Sequence, residues 1–453
     1  MSIRLTQWLK KIAVLKNSIN KIPDSFYYGY VSSINGLLIY VKGLIIPIGS
    51  ICLIEHFSNG EFFKIESEVI GFKEKIILLM LLNDINGIQK GARVFVKIEK
   101  GMFVFSRRVP ISVKLLGRVI DSIGNPLDGL PNLDLEKLFS LTAPATNPLH
   151  RDSITTILDV GVRAINGLLT IGRGQRIGLF SSSGLGKSML LAMMARYTKA
   201  DIIIIALIGE RGREVKDFIN NTLGMKGLSR AIVIAVPINR SPLSQIHGAN
   251  YATRIAEYFR DRNNHVLLIM DSLTRYAMAY RQIALSMGEL PVSKGYPAST
   301  FTKISDLVER VGNGINGNGS ITAFYTVLTE NNLDSDPIAE MVRSVLDGHI
   351  MLSKLYAESG HYPAIDITNS ISRVMTALVS KKHYLQACYF KKLVSTYQRN
   401  QDLIKIGAYI SGNDSILDKA ISLWPILEKF LKQKMLESYN YKDSYKELKR
   451  ILM

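Results

Sequence analysis

An apolar run from Arg176 to Phe180 passes through the turn Ser181-Ser182-Ser183-Gly184-Leu185-Gly186-Lys187-Ser188 directly into a helical pattern from Met189 to Tyr197. Few features constrain a chain as tightly. A buried strand that feeds a helix through a glycine-bearing turn implies a crossover to a parallel neighbour, hence a parallel sheet covered by helices. The turn also carries chemistry. Backbone N–H groups from Ser182, Ser183, Gly184, Leu185 and Gly186, with the helix start at Lys187, Ser188 and Met189, can surround a polyphosphate; Lys187 can reach the β and γ phosphates and the Ser188 hydroxyl can hold Mg²⁺. The usual pattern begins with glycine, and Ser181 occupies that place. The bland alternative is a tight strand-to-helix turn with an incidental lysine.

The same rhythm continues along the chain. Ile202 to Ile208, Ala231 to Val236, Val266 to Met270 and Ile321 to Leu328 are short and apolar, with longer periodic segments between them. Strands buried on both faces read this way, which predicts an α/β domain over 160–380. Two of these runs end in carboxylates. His265 to Met270 leads into Asp271, placed to hold Mg²⁺ through its water shell, or simply to cap the helix Ser272 to Met287. Ile202 to Ile208 leads into Gly209-Glu210-Arg211-Gly212-Arg213-Glu214, where Glu210 is the candidate to polarise water at the C-terminal edge of the sheet, and a solvated charged turn is the alternative.

Elsewhere the pattern differs. Within 23–100, runs such as Tyr27 to Ser32, Leu37 to Val41, Ser50 to Ile54, Ser67 to Phe72 and Arg93 to Ile98, punctuated by Gly and Asn, predict a small β-barrel. A Gly- and Pro-bearing connection covers 101–159, and 381–453 reads as helical, with periodic segments Tyr384 to Tyr397 and Leu417 to Lys434. Residues 1–22 place Leu5, Trp8, Leu9, Ile12, Leu15 and Ile19 on one helical stripe with Arg4, Lys10, Lys11 and Lys16 off it, an amphipathic helix suited to its own core, a partner protein or a membrane surface.

The net charge of +18 over 453 residues is ambiguous between nucleic acid, anionic lipid, acidic partners and simple solubility. It concentrates at the ends: Met1 to Pro23 has five basic residues and no acidic one, and Lys381 to Met453 has 14 basic against seven acidic. No apolar run approaches the roughly 20 residues of a spanning helix. Two cysteines, Cys52 and Cys388, make no disulfide framework, and with no secretory signal pattern the expected location is a reducing cytoplasm. The seven histidines offer no zinc spacing.

Further segments give the sequence a resemblance. Gly209 to Glu214, Asp271-Ser272-Leu273-Thr274-Arg275-Tyr276-Ala277, Lys294-Gly295-Tyr296-Pro297, Leu307-Val308-Glu309-Arg310 and Tyr362-Pro363-Ala364-Ile365-Asp366 resemble the hexameric ATPases related to rotary ATP synthase catalytic subunits. Gly319 to Leu328 and Leu346-Asp347-Gly348-His349-Ile350 are similar to the ATPases of type III protein export. Gly312 to Ile315, Gln398-Arg399-Asn400 and Leu417 to Ile421 favour the flagellar branch over the virulence injectisome. The likeness runs from about Gly117 to Pro425. It implies an α/β fold with a RecA-like P-loop NTPase core, an N-terminal barrel of the six-stranded type and a C-terminal helical domain.

Residue by residue, the resemblance implies Lys187 and Ser188 as the loop pair, Glu210 as the catalytic glutamate and Asp271 as the Mg²⁺-associated aspartate. Arg211 and Arg275 would lie near the γ-phosphate, Tyr362 would stack on adenine, and Arg373 would be an arginine finger reaching the nucleotide of the adjacent subunit. Ser182 departs from a usual glycine, and serine tolerates positive φ poorly. Without the resemblance, Arg373 reads as a surface arginine and Tyr362 as core. The implied activity is ATP hydrolysis with Mg²⁺ by a homohexamer serving flagellar export. Its implied partners are a stator-like regulator on the N-terminal helix, an export gate and substrate-chaperone complexes, with peripheral contact at the inner membrane. The rival readings are an injectisome ATPase, a non-catalytic nucleotide-binding ring subunit, and an RNA-translocating helicase. Nucleic acid is the less expected partner, because Phe26, Tyr27 and Tyr28 are a weak match to a stacking platform.

Overall fold

The computed structural model describes residues 28–58, 61–82, 87–99, 102–133, 137–142, 147–182, 184–315, 317–329 and 336–452, together with Trp8, Lys11 and Ile12. Those three are helical and exposed; the rest of the predicted N-terminal helix, and Ser183 of the phosphate turn, lie outside the described residues. The chain forms two compact units, 1–108 with 286–288, and 109–285 with 289–453. Among the described residues no helix is long and apolar enough to cross a membrane.

The first unit is a closed antiparallel barrel of β1 (Tyr28–Asn35), β2 (Leu38–Lys42), β3 (Ile51–Ser58), β4 (Glu61–Lys73), β5 (Ile76–Leu81) and β6 (Arg93–Val96), in the order β1-β2-β5-β4-β3-β6. Pairing of Tyr28 with Phe95 and Gly29 with Val94 closes it, so no strand is left with an unpaired edge. Val31, Ile39, Val41, Cys52, Ile54, Val69, Leu79 and Val94 fill the interior. Burial pushes the Cys52 thiol up to about 12, which makes it a packing residue rather than a reactive one. The sequence runs omit β5, a continuous apolar stretch without the alternation that marks its neighbours.

The second unit is built on an eight-stranded sheet. Its strands are β7 (Val119–Ile120), β8 (Arg176–Ser181), β9 (Ile202–Ile208), β10 (Ala231–Val236), β11 (His265–Asp271), β12 (Ser320–Leu328), β13 (Gly348–Leu352) and β14 (Ile365–Ser372), in the order β7-β10-β9-β11-β12-β8-β13-β14. All neighbours pair parallel except β13 with β14. The edge strand β7 comes from the segment that the sequence reads as a connection. Helices α1 (Arg163–Leu168), α2 (Lys187–Tyr197), α3 (Gly212–Asp217), α4 (Pro242–Arg260), α5 (Leu273–Met287), α6 (Ala298–Glu309) and α7 (Pro337–Val345) accompany these strands.

Beyond residue 380 come α8 (Lys381–Arg399), α9 (Ser415–Leu431) and α10 (Tyr441–Ile451). Each starts on a polar side chain that accepts from the first-turn backbone: Ser380 from His383 N, Asp414 from Ile416 N and Leu417 N, Asn440 from Asp443 N. Their apolar faces do not form a separate core. Phe390, Leu393, Phe430 and Leu448 join Leu190, Ile205 and Ile269 in a single cluster. Arg163 fastens this junction: its guanidinium donates to the carbonyls of Phe430, Lys429 and Lys432 at 2.6–2.7 Å and pairs with Glu447 at 3.1 Å. Three carbonyls at the end of α9 that helix geometry leaves open are thereby satisfied.

Candidate active site

The phosphate turn has the backbone that a polyphosphate cradle requires. Gly184 and Gly186 have φ of +82° and +83°, conformations that glycine adopts without cost. Ser181 and Ser182 are not in the left-handed region, so serine fits both places. The helix begins at Lys187, with Gly186 as its N-cap and Ser188 in the first turn. Open N–H groups and the positive end of the helix dipole therefore meet at Lys187 and Ser188.

Lys187 draws the site together. Its Nζ lies 2.5 Å from Asp271 Oδ1 and 3.6 Å from Glu210 Oε1. Sheet order explains this convergence. Lys187 follows β8, Glu210 follows β9, Asp271 ends β11, and β12 stands between β11 and β8, so the groups share the C-terminal edge where open parallel sheets present ligands. From β12, Thr326 donates its hydroxyl to Asp271 Oδ1 at 2.7 Å. The sequence reading misses Thr326, which carries no distinguishing signal in the sequence, because Thr322 and Tyr325 bring further hydroxyls into the same run Ile321 to Leu328.

Glu210 stands in an unusual environment. Its side chain is 15 % exposed, and its buried Oε1, an ion-pair partner of Lys187 at a distance too long for a hydrogen bond, is free of hydrogen bonds. Burial, then the nearby Asp271 charge, pushes its carboxyl up to about 7, against the pull of Lys187; Glu214 adds to the rise. A carboxylate with a free buried oxygen and a pKa near neutrality suits a group that must take up and release a proton.

The arginines separate into three situations. Arg275 packs its stem against Gly209, the residue before Glu210, where an added Cβ would come within 2.8 Å of it, and its Nε is buried without a hydrogen bond. Arg211 is turned to solvent, 80 % exposed and 3.5 Å from Glu214. Arg373 is remote. It follows β14, and its N–H donates to the carbonyl of Asp347, whose own N–H donates to the carbonyl of Arg176 at the start of β8. A strand rises about 3.3 Å per residue, so the start and end of β8 lie roughly 17 Å apart, and Arg373 belongs to the sheet edge opposite Lys187. Its Nη2 donates to the carbonyl of Arg343 at 3.1 Å, and it lines a cavity of about 1220 Å³ with Arg343, His349 and Lys391.

Tyr362 sits at the mouth of the turn, 45 % exposed, its ring so close over Gly186 that a Cβ there would lie 3.1 Å from it. A cavity of about 990 Å³ opens beside it between Gly186, Met189, Leu190, Pro363, Pro425 and Gln433, with charged side chains including Glu428 and Lys432 also in its wall. An aromatic ring and apolar side chains facing a slot of this size suit a planar ring. Pro425 and Gln433, contributed by the C-terminal helical region, carry no local sequence signal.

The donor set also suits Mg²⁺. Ser188 and Asp271 offer hard oxygens beside the cradle, and among the described residues no cluster of three metal-ligating side chains occurs. Mg²⁺ typically takes one or two carboxylates plus substrate phosphates rather than an all-protein cage.

Comparison with known proteins gives a consistent result over the whole chain. Residues 161–372 match the ATP synthase alpha/beta family, nucleotide-binding domain, and residues 379–450 match the T3SS EscN ATPase C-terminal domain. A flagellum-specific ATP synthase from Buchnera aphidicola subsp. Schizaphis graminum is 59% identical over 454 residues, covering 100% of this chain and 97% of the relative. The assembled ATPase EscN of the enteropathogenic E. coli type III secretion system superposes with a TM-score of 0.87 at 39% identity, covering 94% of this chain and 100% of EscN. EscN in complex with its central stalk EscO gives 0.83 over the same coverage.

Proposed function

As a member of the ATP synthase alpha/beta family, in the branch of flagellum-specific ATP synthases and type III secretion ATPases, this chain is an ATPase, and we propose that it hydrolyses MgATP as a homohexameric ring that energises flagellar protein export. The observation that carries the chemistry is the convergence of Lys187, Glu210 and Asp271 on the phosphate turn. The higher identity to a flagellar relative than to EscN supports the flagellar branch over the injectisome.

In this mechanism the turn amides and Lys187 bind the β and γ phosphates, Lys187 exchanging its carboxylate partners for phosphate oxygens. Ser188 and Asp271 would hold Mg²⁺, which neutralises charge on the bridging phosphates when bound. Glu210 orients a water at its free Oε1 and receives its proton. Arg275, whose stem packs against Gly209, meets the γ-phosphate in this reading, and Tyr362 stacks on the base. Arg373 serves a neighbour's nucleotide, since its own cradle is at the far edge of the sheet; charge stabilisation of this kind is worth about 10³ to 10⁵ in rate. A non-catalytic ring subunit would have no use for a carboxylate held near neutrality.

EscN has been solved with a central stalk, which supports an equivalent stalk partner for this ring. The exposed Trp8 and Ile12 fit docking of the N-terminal segment on a stator-like regulator. Contacts with an export gate and substrate-chaperone complexes, and a cytoplasmic location with peripheral association at the inner membrane, complete the reading. Steady-state phosphate release tests it: folded Lys187→Ala and Glu210→Ala proteins are expected to lose turnover by at least about 100-fold, and parental rates in either would overturn the assignment.

A further inference from the structure

Gln433 lies just past the end of α9, in the wall of the slot beside Tyr362, and is 6 % exposed. Its side chain is tied to the main chain on both sides. Oε1 accepts from Arg163 N at 2.8 Å, and Nε2 donates to the carbonyls of Gly161 and Glu437, each at 2.9 Å. Both amide hydrogens are thus committed within the protein and neither is free to read a base. Its own backbone N–H donates to the carbonyl of Tyr362 at 3.0 Å. The chain from α1 to the base slot is therefore continuous: Gly161 and Arg163 hold the Gln433 amide, and Gln433 holds the Tyr362 backbone. Arg163 reinforces it, with its guanidinium 4.4 Å from the Tyr439 ring centre and bonded to the Lys432 carbonyl next to Gln433.

We infer that Gln433 is a positioning residue for the nucleotide base, acting through Tyr362 by fixing the main chain that carries the ring over Gly186. The inference rests on Tyr362 being the stacking ring. A buried amide with all its donors satisfied rigidifies what it connects, and removing it strips hydrogen bonds from three main-chain groups, so the Tyr362 ring loses its fixed seat.

The test is Gln433→Met, close to isosteric and without the amide, in the full-length enzyme. The Michaelis constant for ATP should rise about tenfold, the loss expected of one to two net hydrogen bonds, while kcat stays within about threefold. Inorganic tripolyphosphate, which has no base, should inhibit both proteins with the same constant. In a Tyr362→Ala background the Gln433→Met change should add nothing further to the Michaelis constant, because the two act on one contact. If Tyr362→Ala raises the constant and Gln433→Met does not, or if Gln433→Met weakens tripolyphosphate equally, the positioning role is overturned. If Tyr362→Ala itself has no effect, the stacking assignment fails instead. Should Gln433→Met not fold, Gln433→Glu keeps the acceptor for Arg163 but loses both donors, and the same changes in the Michaelis and inhibition constants support or overturn the role.

Discussion

At Glu210 two electrostatic influences oppose each other, and the balance has measurable signs. Burial and Asp271 raise its carboxyl to about 7, whereas Lys187 favours the ionised form. An acid whose folded pKa lies above its unfolded value stabilises the fold below the unfolded value, near 4.5, and loses that contribution as pH rises through about 7. Glu210→Gln removes the titration. Its melting temperature should therefore gain on the parent between pH 5 and 8, most at the upper end, and thermal scans across that range check it. Activity has the opposite sign: kcat/KM of the parent should climb with an apparent pKa near 7, and Glu210→Gln should be slower by about 10² to 10⁴ with that limb gone. At this scale the sequence was informative where an apolar strand ends in a carboxylate, as with Asp271, or runs into a turn that bears one, as with Glu210. It was silent on Thr326 and on the free Glu210 oxygen, because both depend on which strands are neighbours, and sheet order is not local information.

Among elements, the turn between β8 and α2 is the most constrained. Gly186 combines a φ of +83° with a Tyr362 ring in the path of any Cβ. Gly186→Ala should cost about 1–2 kcal/mol in left-handed strain and push the aromatic ring away. The expected result is a nucleotide affinity at least about tenfold weaker, read by equilibrium titration, with a lowered melting temperature. The central strands were legible because both faces are covered, which writes them as unbroken apolar runs such as Ile202–Ile208. Strand β14 was not. Ile-Asp-Ile-Thr-Asn-Ser-Ile-Ser alternates buried and partly exposed positions at the sheet edge, and its polar half conceals it from a search for apolar runs. The two-residue β7 is too short for any periodicity to show.

For the whole molecule, the decisive placement is that Arg373 and Lys187 occupy opposite edges of one sheet. On the proposed mechanism neither Lys187→Ala nor Arg373→Ala protein should hydrolyse ATP alone, yet a mixture of the two should recover part of the activity, since some mixed contacts join an intact cradle to an intact arginine. Phosphate release from the mixture checks this; an inactive mixture whose ring assembly is confirmed by mass measurement counts against sharing. The barrel, the α/β core and the helical end could be outlined from patterning, but cooperation between protomers came only from resemblance, because no spacing along one chain says which copy an arginine faces. The separation of those two residues also makes closure itself chemically visible. A row of protomers that has not joined end to end always leaves a donor idle at one tip and an unserved cradle at the other. The last junction removes both defects at once, so fuel consumption would count junctions rather than copies: a stray protomer would burn little, and closure would add the final working cradle.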